Sequence, residues 1–187
     1  MSSRPRSNNS PSPVRRGALV ATDPRNPPPS SVATRAVMSA NRGRDTSPEL
    51  ELRSALRRQG VRAFRSGVAT VAGRPDLVFI RPQVAVYVHG CFWHRCPTCL
   101  LPLPRSNRQF WIAKFRRNRV RDRQKRRLLE GVGWRVVELW SHELERDVDQ
   151  AARTIARVVS RQVDLRTRSA TNLALSQKAR RGTPAKR

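Results

Sequence analysis

The sequence predicts an α/β fold, in which helices pack on a sheet of short strands. Helix-like and strand-like segments alternate between residues 45 and 159, in the order helix, two strands, helix, strand, helix. The second strand-like segment, "VAVYV" at 84–88, is entirely apolar, which is typical of a strand covered on both faces of its sheet. Together these features favour a central sheet flanked by helices.

Both ends of the chain are predicted to be disordered. Residues 1–35 contain seven prolines and no sustained apolar pattern, and residues 161–187 contain eight Lys or Arg against one Asp. Such segments bury too little apolar surface to offset the entropy cost of ordering. We therefore expect one folded domain at residues 36–160, between a Pro/Arg-rich N-terminal tail and a basic C-terminal tail.

The segment "DTSPELELRSALRRQG" at 45–60 predicts the first helix. Ser47 is a suitable N-cap, and Leu52 and Leu56 define the inward face. Glu49 lies on that same face, three residues before Leu52. A carboxylate at this position either reaches water at the end of the apolar stripe or points at a cationic group.

Three short segments predict the strands. "GRPDLVFIRP" at 73–82 predicts a turn followed by a strand, 84–88 predicts the second strand, and "WRVVELW" at 134–140 predicts the third. If the first two strands pair with each other, Asp76 lies close to the far end of the second strand.

Two further helices are predicted at residues 108–133 and 141–159. The first is strongly basic, because eleven Lys or Arg and a single acid, Asp122, lie between Arg105 and Arg127. One face of this helix carries a different set of residues at helical spacing: Trp111, Phe115, Asn118 and Asp122. We expect that face to pack or to form part of a site, and the basic faces to lie along phosphates.

The charge of the chain points to a polyanionic partner. The net charge is +26, and residues 36–160 alone carry 25 Lys or Arg against 11 Asp or Glu. Nucleic acid is the leading candidate for the partner of so basic a surface. The alternative is a compositional bias toward arginine, since 35 of the 39 basic residues are Arg. Such a bias enriches arginine without depleting acidic residues.

The three cysteines favour a reducing compartment, the cytoplasm, because an odd number argues against a secreted disulfide framework. No segment is long and apolar enough to span a membrane. The Arg-rich, acid-poor N-terminus leaves an organelle transit peptide open as an alternative.

The segment "HGCFWHRCPTC" at 89–99 holds all three cysteines and two of the three histidines. Closely spaced thiolates suit a tetrahedral zinc ion, and the third histidine supplies a fourth ligand. The predicted ligands are Cys91, Cys96, Cys99 and His142. Four protein ligands fill the coordination shell, so this zinc would be structural. A redox cysteine pair and unligated buried thiols are the alternatives.

Two histidines of this segment, His89 and His94, remain for another role. They bracket the first predicted zinc ligand at the end of an apolar strand, near Asp76. A carboxylate together with backbone carbonyls suits Mg²⁺, which binds oxygen ligands and keeps several waters. A lone histidine is more often structural, but two histidines beside a carboxylate and a basic surface indicate a catalytic site.

Five stretches resemble, in this order, the very short patch repair (Vsr) family of mismatch endonucleases: "MSANRGRDTSPELELR", "GRPDLVF", "VHGCFWH", "FWIAKFRRNRVRDR" and "GWRVVELW". The resemblance implies a restriction-endonuclease-like, three-layer α/β fold with a central mixed sheet, flanking helices and a structural zinc site. It also implies a Mg²⁺-dependent nick in one strand of duplex DNA, 5′ to the T of a T:G mismatch. Such mismatches arise by deamination of 5-methylcytosine, and the nick starts very short patch repair.

By position, the resemblance also assigns roles to residues. Asp76 and the backbone carbonyl of Val88 are similar to the ligands of the catalytic Mg²⁺, for which the family implies two ions. His94 corresponds to the general base, and His89 corresponds to the residue that assists at the scissile phosphate. Asp122 corresponds to the partner that orients the histidines, and Glu49 corresponds to the outer acidic residue. A histidine suits the role of base because its ordinary pKa lies near neutrality.

The DNA-contacting residues implied by the resemblance are Phe92, Trp93, Trp111, Met38, Lys114 and Asn118. The three aromatic residues resemble a wedge that enters the base stack at the mismatch, where opening the stack costs less than at a matched pair. Core packing is the alternative for Phe92 and Trp93.

Two other functions remain open. One is a restriction-type or general nicking endonuclease on the same fold, and the other is a non-catalytic, zinc-containing DNA-binding module. A silent module would be expected to lack Asp76 or His94, and both are present. For the leading function the implied partners are duplex DNA with a T:G mismatch, a cytosine-5 DNA methyltransferase of the same pathway and downstream repair proteins. We expect no membrane partner and a monomeric protein.

Overall fold

A computed structural model describes residues 44–69 and 71–181 of the protein. Met38 and the predicted N-terminal tail at 1–35 lie outside the described residues. The elements, in chain order, are α1 (Ser47–Arg58), β1 (Arg65–Ser66), β2 (Leu77–Phe79), β3 (Val84–His89), α2 (Cys91–His94), α3 (Arg108–Gly131), β4 (Arg135–Trp140) and α4 (Ser141–Arg181).

The four strands form one mixed sheet in the order β1-β2-β3-β4. β2 is antiparallel to both β1 and β3, whereas β3 and β4 are parallel. A tight turn joins β2 to β3, in which Gln83 adopts a positive φ of 53° and its N–H donates to Ile80. Parallel strands need a long crossover, which α3 supplies. The predicted α/β fold with a mixed sheet and helices is confirmed.

Helices cover both faces of the sheet because the strand residues alternate between two apolar clusters. Val84 and Val86 of β3 belong to a cluster shared with α1 and α4, where Leu52 and Ile155 are completely buried. The second cluster lies on the other face, under α3, and contains Val78, Ala85, Tyr87, Leu129 and Val136. This packing holds the ends of β2, β3 and β4 in fixed positions.

The start of α1 differs slightly from the prediction. Thr46, and not Ser47, is the N-cap, and Ser47 is the first helical residue. Pro48 then occupies the first turn, where its missing N–H leaves no intrahelical bond unmade. The N–H of Asp45, just before the helix, donates a hydrogen bond to the Glu49 carboxylate (3.1 Å).

The last helix is longer than the sequence predicts. A disordered tail was expected from residue 161, whereas helix continues to Arg181. α4 is kinked at Asp147, whose φ of −160° and ψ of 87° are not helical, so it consists of a short first part and a long second part. The physical reason is composition: residues 141–181 contain neither Gly nor Pro, and Ala, Leu, Arg and Gln favour helix. The Arg166 side chain also holds the helix to the sheet, donating to the carbonyl of Pro82 (3.2 Å). The limits of the domain itself stay a prediction.

Two elements were not predicted. β1 has two residues and α2 has four, so neither is long enough to produce a periodic pattern. Among the described residues, no helix combines the length and the apolar character that crossing a membrane would need.

Leu52→Ala tests the packing of α1 on the sheet. The Leu52 side chain is fully buried, and we expect its truncation to lower the free energy of unfolding by about 2–5 kcal/mol. The measurement is urea unfolding. Leu50→Ala is the control, because Leu50 lies on the same helix, is 50% exposed and should change the value by less than about 0.5 kcal/mol. Equal effects of the two substitutions would contradict the packing described.

Candidate active site and metal centre

A groove of about 1260 Å³ opens beside the end of β3. It is bordered by the start of α1, the turn before β2, the helix α2 and the middle of α3. All five residues predicted to be catalytic line it: Glu49, Asp76, His89, His94 and Asp122. The predicted DNA contacts Trp93, Lys114 and Asn118 line it as well. Residues that are far apart in the sequence therefore meet in one cleft.

Asp76 lines the groove and directly precedes β2. Its own N–H donates to the carbonyl of Val86 (3.0 Å), and its Oδ2 accepts the N–H of Val88 (2.7 Å). The Asp76 carboxylate is therefore fixed against the end of β3, as predicted. Burial raises the pKa of Asp76, and the charge of Glu49 adds to this, although the Val88 N–H opposes it. A cation in the groove would favour the charged carboxylate.

Glu49 is a buried carboxylate at the start of α1, with 5% of its surface exposed. Its Oε1 accepts the hydroxyl proton of Thr46 (2.8 Å), and Oε2 accepts the N–H of Asp45 and a guanidinium N–H of Arg53 (3.3 Å). These bonds give the Glu49 side chain a fixed position on the wall of the groove. The sequence left two positions open for the Glu49 carboxylate, in water or against a cationic group. The structure shows the second, with Arg53 as the cation.

His94 and Asp122 form a close pair between α2 and α3. His94 Nδ1 lies 2.6 Å from Asp122 Oδ2. Burial alone would raise the pKa of Asp122, but the hydrogen bond and charge of His94 outweigh it, so the pKa is lowered. An ionised carboxylate only accepts, so Nδ1 carries the proton and Nε2 is left as the basic nitrogen.

His89 is buried, with 6% of its surface exposed, and its ring lies beside that of His94, with centroids 4.6 Å apart. Its Nε2 lies 3.3 Å from Oε1 of Glu138 on β4. Glu138 was not predicted as a site residue. The available signal was a single acid inside the apolar strand "WRVVELW", but its partner depends on the strand register, in which Glu138 aligns with Tyr87.

The predicted zinc ligands come together beside the groove. The Sγ atoms of Cys91, Cys96 and Cys99 lie 3.2, 3.6 and 3.3 Å from Nδ1 of His142. Adjacent S and N ligands of a tetrahedral zinc lie about 3.6 Å apart, from bond lengths of about 2.3 and 2.1 Å. Three thiol sulfurs and one imidazole nitrogen at these distances are able to hold a metal such as zinc.

The aromatic residues form a cluster between α2 and α3. Phe92 contacts Trp111 and Phe115, with ring centroids 5.5 and 5.3 Å apart. Trp111 is buried, whereas Phe92 and Trp93 are half-buried. Lys114 Nζ lies 5.2 Å from the ring centroid of Trp93. Trp111 thus packs against its neighbours, and Phe92 and Trp93 keep exposed surface, which leaves both the wedge and the packing interpretation open.

The carboxylates and histidines of the groove are surrounded by cations. Arg74, Arg121 and Lys125 line the same groove. Nε2 of His94 is placed to accept a proton, buried carboxylate oxygens are suited to a divalent cation, and the cationic rim suits phosphates. The groove is therefore suited to metal-assisted hydrolysis of a phosphodiester, which is the chemistry of a nuclease.

Known proteins agree with that class. The model of the family described as DNA mismatch endonuclease Vsr matches residues 31–99. The type II nicking enzyme V.NaeI of Lentzea aerocolonigenes is 40% identical over 121 residues, which are 63% of this chain and 72% of the relative. The type II nicking enzyme V.XorIIP of Xanthomonas oryzae pv. oryzae is 39% identical over 110 residues, covering 59% of this chain and 80% of the relative. The DNA mismatch endonuclease Vsr of Escherichia coli strain K12 is 40% identical over 103 residues, which cover 55% of this chain and 65% of the relative. The chain belongs to the Vsr family.

Cys96→Ser tests the metal centre. Cys96 is 3% exposed, and loss of its thiolate should lower the bound zinc from about one ion per chain and destabilise the fold. Zinc is measured by elemental analysis of purified protein and stability by thermal unfolding. Thr98→Ala in the same loop is the control and should keep its zinc. Unchanged zinc content and thermal stability in Cys96→Ser would refute the site.

Proposed function

We propose that this protein nicks one strand of duplex DNA 5′ to the T of T:G mismatches and so starts very short patch repair. The observation that carries the proposal is the convergence of Asp76 and the His94–Asp122 pair in one cation-rimmed groove. Membership of the Vsr family supports a DNA mismatch endonuclease, and the origin of the mismatch in deaminated 5-methylcytosine belongs to the proposal.

The donor set of the groove fits Mg²⁺. The Asp76 carboxylate and the backbone carbonyl of Val88 are hard oxygen ligands at the end of β3, where Asp76 already contacts the Val88 N–H. When bound, Mg²⁺ neutralises negative charge at the phosphate, and we propose two such ions. Glu49 supplies a second carboxylate on the same wall and adds to the negative potential there.

His94 is proposed as the general base. Because Nδ1 is paired with Asp122 at 2.6 Å, Nε2 is the nitrogen that accepts the proton of the attacking water. Asp122 holds the imidazole ring and stabilises the charge that the ring acquires. A positioned base of this kind accounts for about 10²- to 10⁴-fold in rate. His89, 4.6 Å away between ring centroids, is proposed to assist at the scissile phosphate.

The aromatic wedge is proposed to sit at the end of the groove. Phe92 and Trp93 are half-buried, Trp93 lines the groove, and Trp111 contacts both rings from α3. Lys114 and Asn118 line the groove on the same helix, and Asn118 also fixes the wedge by donating to the carbonyl of Trp93 (2.9 Å). Aromatic side chains are able to stack on bases that a weak T:G pair releases.

The remaining predictions, on fold, zinc, oligomeric state, location and pathway partners, are part of this proposal. We propose a restriction-endonuclease-like, three-layer fold, a structural zinc at the Cys₃His cluster, and a monomer that works in the bacterial cytoplasm, where the DNA is. The basic faces of α3 would follow the DNA backbone. A cytosine-5 DNA methyltransferase and downstream repair proteins would act in the same pathway.

A restriction-type or general nicking enzyme is the second candidate function. It is favoured by relatives that carry the name type II nicking enzyme, of which V.NaeI is one. Such an enzyme would have the same hydrolytic groove. The two functions differ in whether cleavage requires the mismatch.

A strand-resolved nicking assay with purified protein and Mg²⁺ tests the proposal. Duplexes carry T:G, matched C:G or matched T:A at one site, in several flanking contexts, with each strand labelled separately. A nick 5′ to the T of T:G alone is the expected result. Cleavage of matched duplexes or of both strands would favour the second candidate, and tight binding without cleavage would favour a DNA-binding module.

Asp76→Asn tests the proposed metal carboxylate. The amide keeps an acceptor for the Val88 N–H but removes the charge, so nicking should fall at least about 10³-fold while mismatch binding survives. Nicking is followed under single turnover and binding by gel shift. Asp164→Asn, an exposed position on α4, is the control and should nick normally. Full activity of Asp76→Asn would remove Asp76 from the metal site.

Trp93→Ala separates the wedge from core packing. If Trp93 stacks at the mismatch, its loss should weaken binding of T:G duplex by about 1–3 kcal/mol and leave binding of matched duplex unchanged. The measurement is a pair of titrations with T:G and C:G duplexes, accompanied by urea unfolding. A lower free energy of unfolding with an unchanged preference for T:G would show that Trp93 only packs.

A further inference from the structure

Two histidines line the groove, each is paired with a carboxylate, and the predicted catalytic set explains only one of these pairs. His94 is paired with Asp122, whereas His89 is paired with Glu138. The second pair joins the last residue of β3 to the middle of β4. Glu138 is half-buried, with 23% of its side chain exposed, and it does not line the groove.

Both oxygens of Glu138 have partners. Oε1 lies 3.3 Å from Nε2 of His89, and Oε2 accepts from Arg126 at 2.9 Å. The hydrogen bond with His89 lowers the pKa of Glu138, and the charge of Arg126 acts in the same direction against burial. Glu138 is thus ionised at neutral pH. An ionised carboxylate accepts hydrogen bonds only, so Nε2 of His89 must be the donor.

We propose that Glu138 is the positioning residue of His89: it fixes the Nε2–H tautomer and the ring orientation, so that Nδ1 is the nitrogen presented to the DNA. The inference rests on the proposed function for its effect on nicking. Glu138 itself touches neither the DNA nor the reacting atoms.

The two histidines are thereby held in opposite tautomers. His94 uses Nδ1 to bind its carboxylate and leaves Nε2 free, while His89 uses Nε2 and leaves Nδ1 free. Their rings lie 4.6 Å apart between centroids, and both residues line the groove. Without a carboxylate partner, an imidazole exchanges between its two tautomers, so the protonation of its free nitrogen is not fixed.

Neighbouring rings restrict His89 but do not select its tautomer. Tyr87 lies nearly parallel to it, with an interplanar angle of 5° and centroids 6.0 Å apart, and Trp140 lies 5.3 Å away. Ring contacts of this kind fix the plane of an imidazole and leave its two nitrogens interchangeable. The carboxylate of Glu138 is the group that distinguishes them.

Nitrogen NMR of the histidine side chains tests the proposal directly. The whole chain has only three histidines, so ¹⁵N-histidine labelling of the zinc-loaded full-length protein gives a sparse spectrum. His89→Gln identifies the His89 signals by their loss. At neutral pH, the wild-type protein should show a proton held on Nε2 of His89. Glu138→Leu should lose this signature and show averaged tautomers. Glu138→Gln should move the proton to Nδ1, because its amide oxygen accepts from Arg126 and its NH₂ group then donates to Nε2 of His89.

Kinetics of the same variants test the consequence for nicking. Glu138→Leu should lower kcat about 10- to 100-fold, by analogy with carboxylates that hydrogen-bond to metal-ligating histidines, whose removal costs that much activity. KM for T:G duplex should stay within about twofold, because Glu138 binds no DNA. Glu138→Gln should also lower kcat, because its NH₂ group favours the other tautomer of His89. The control is Glu130→Gln, since Glu130 is the other acceptor of Arg126 and does not contact His89.

The outcomes separate the positioning role from the function of the enzyme. An unchanged His89 tautomer in Glu138→Leu, or a wild-type kcat in a folded variant, overturns the proposal. If Glu138→Leu does not fold, the isosteric Glu138→Gln decides by the same two readouts. If the wild-type protein fails to nick T:G duplex, the proposed function fails, and the His89 spectrum alone still decides whether Glu138 fixes the tautomer.

Discussion

The parallel register of β3 against β4 is the constraint on which the site depends. It aligns Val88 with Leu139 and His89 with Trp140. The chain leaving β3 therefore enters the cysteine segment beside the start of α4, where His142 completes the Cys₃His cluster. The same register sets Glu138 within reach of His89. A shift of one residue would exchange the faces of the strand and separate both sets of partners.

The opposite signs of charge in this protein have separate functions. The chain as a whole carries a net charge of +26, which favours approach to a polyanion. The groove concentrates carboxylates: burial raises the pKa of Asp76, and the nearby charge of Glu49 acts in the same direction. Such a negative pocket under a basic rim attracts a divalent cation and the phosphate backbone to the same place. The two charge patterns are complementary requirements of phosphodiester hydrolysis.

Much of the site could be predicted from the sequence because its residues occupy local motifs. Asp76 precedes an apolar strand, and the strand pairing that places it near Val88 follows from one short turn. The Cys₃His cluster was predictable because His142 was the one histidine outside the cysteine segment. Glu138 could not be found in this way, since its partner is set by pairing between strands separated by about 45 residues of crossover. The helix beyond residue 160 was missed because charge suggested disorder, whereas its backbone preference is helical.

A competition experiment measures whether nicking depends on the mismatch. A T:G duplex and a C:G duplex of identical flanking sequence, labelled with different dyes, are mixed with limiting protein and Mg²⁺, and the two nicking rates are compared in one reaction. We expect a ratio in favour of T:G of more than about 10², because the distortion of a mismatch is used before chemistry. A ratio near one would contradict it and identify a nicking enzyme that does not depend on the mismatch.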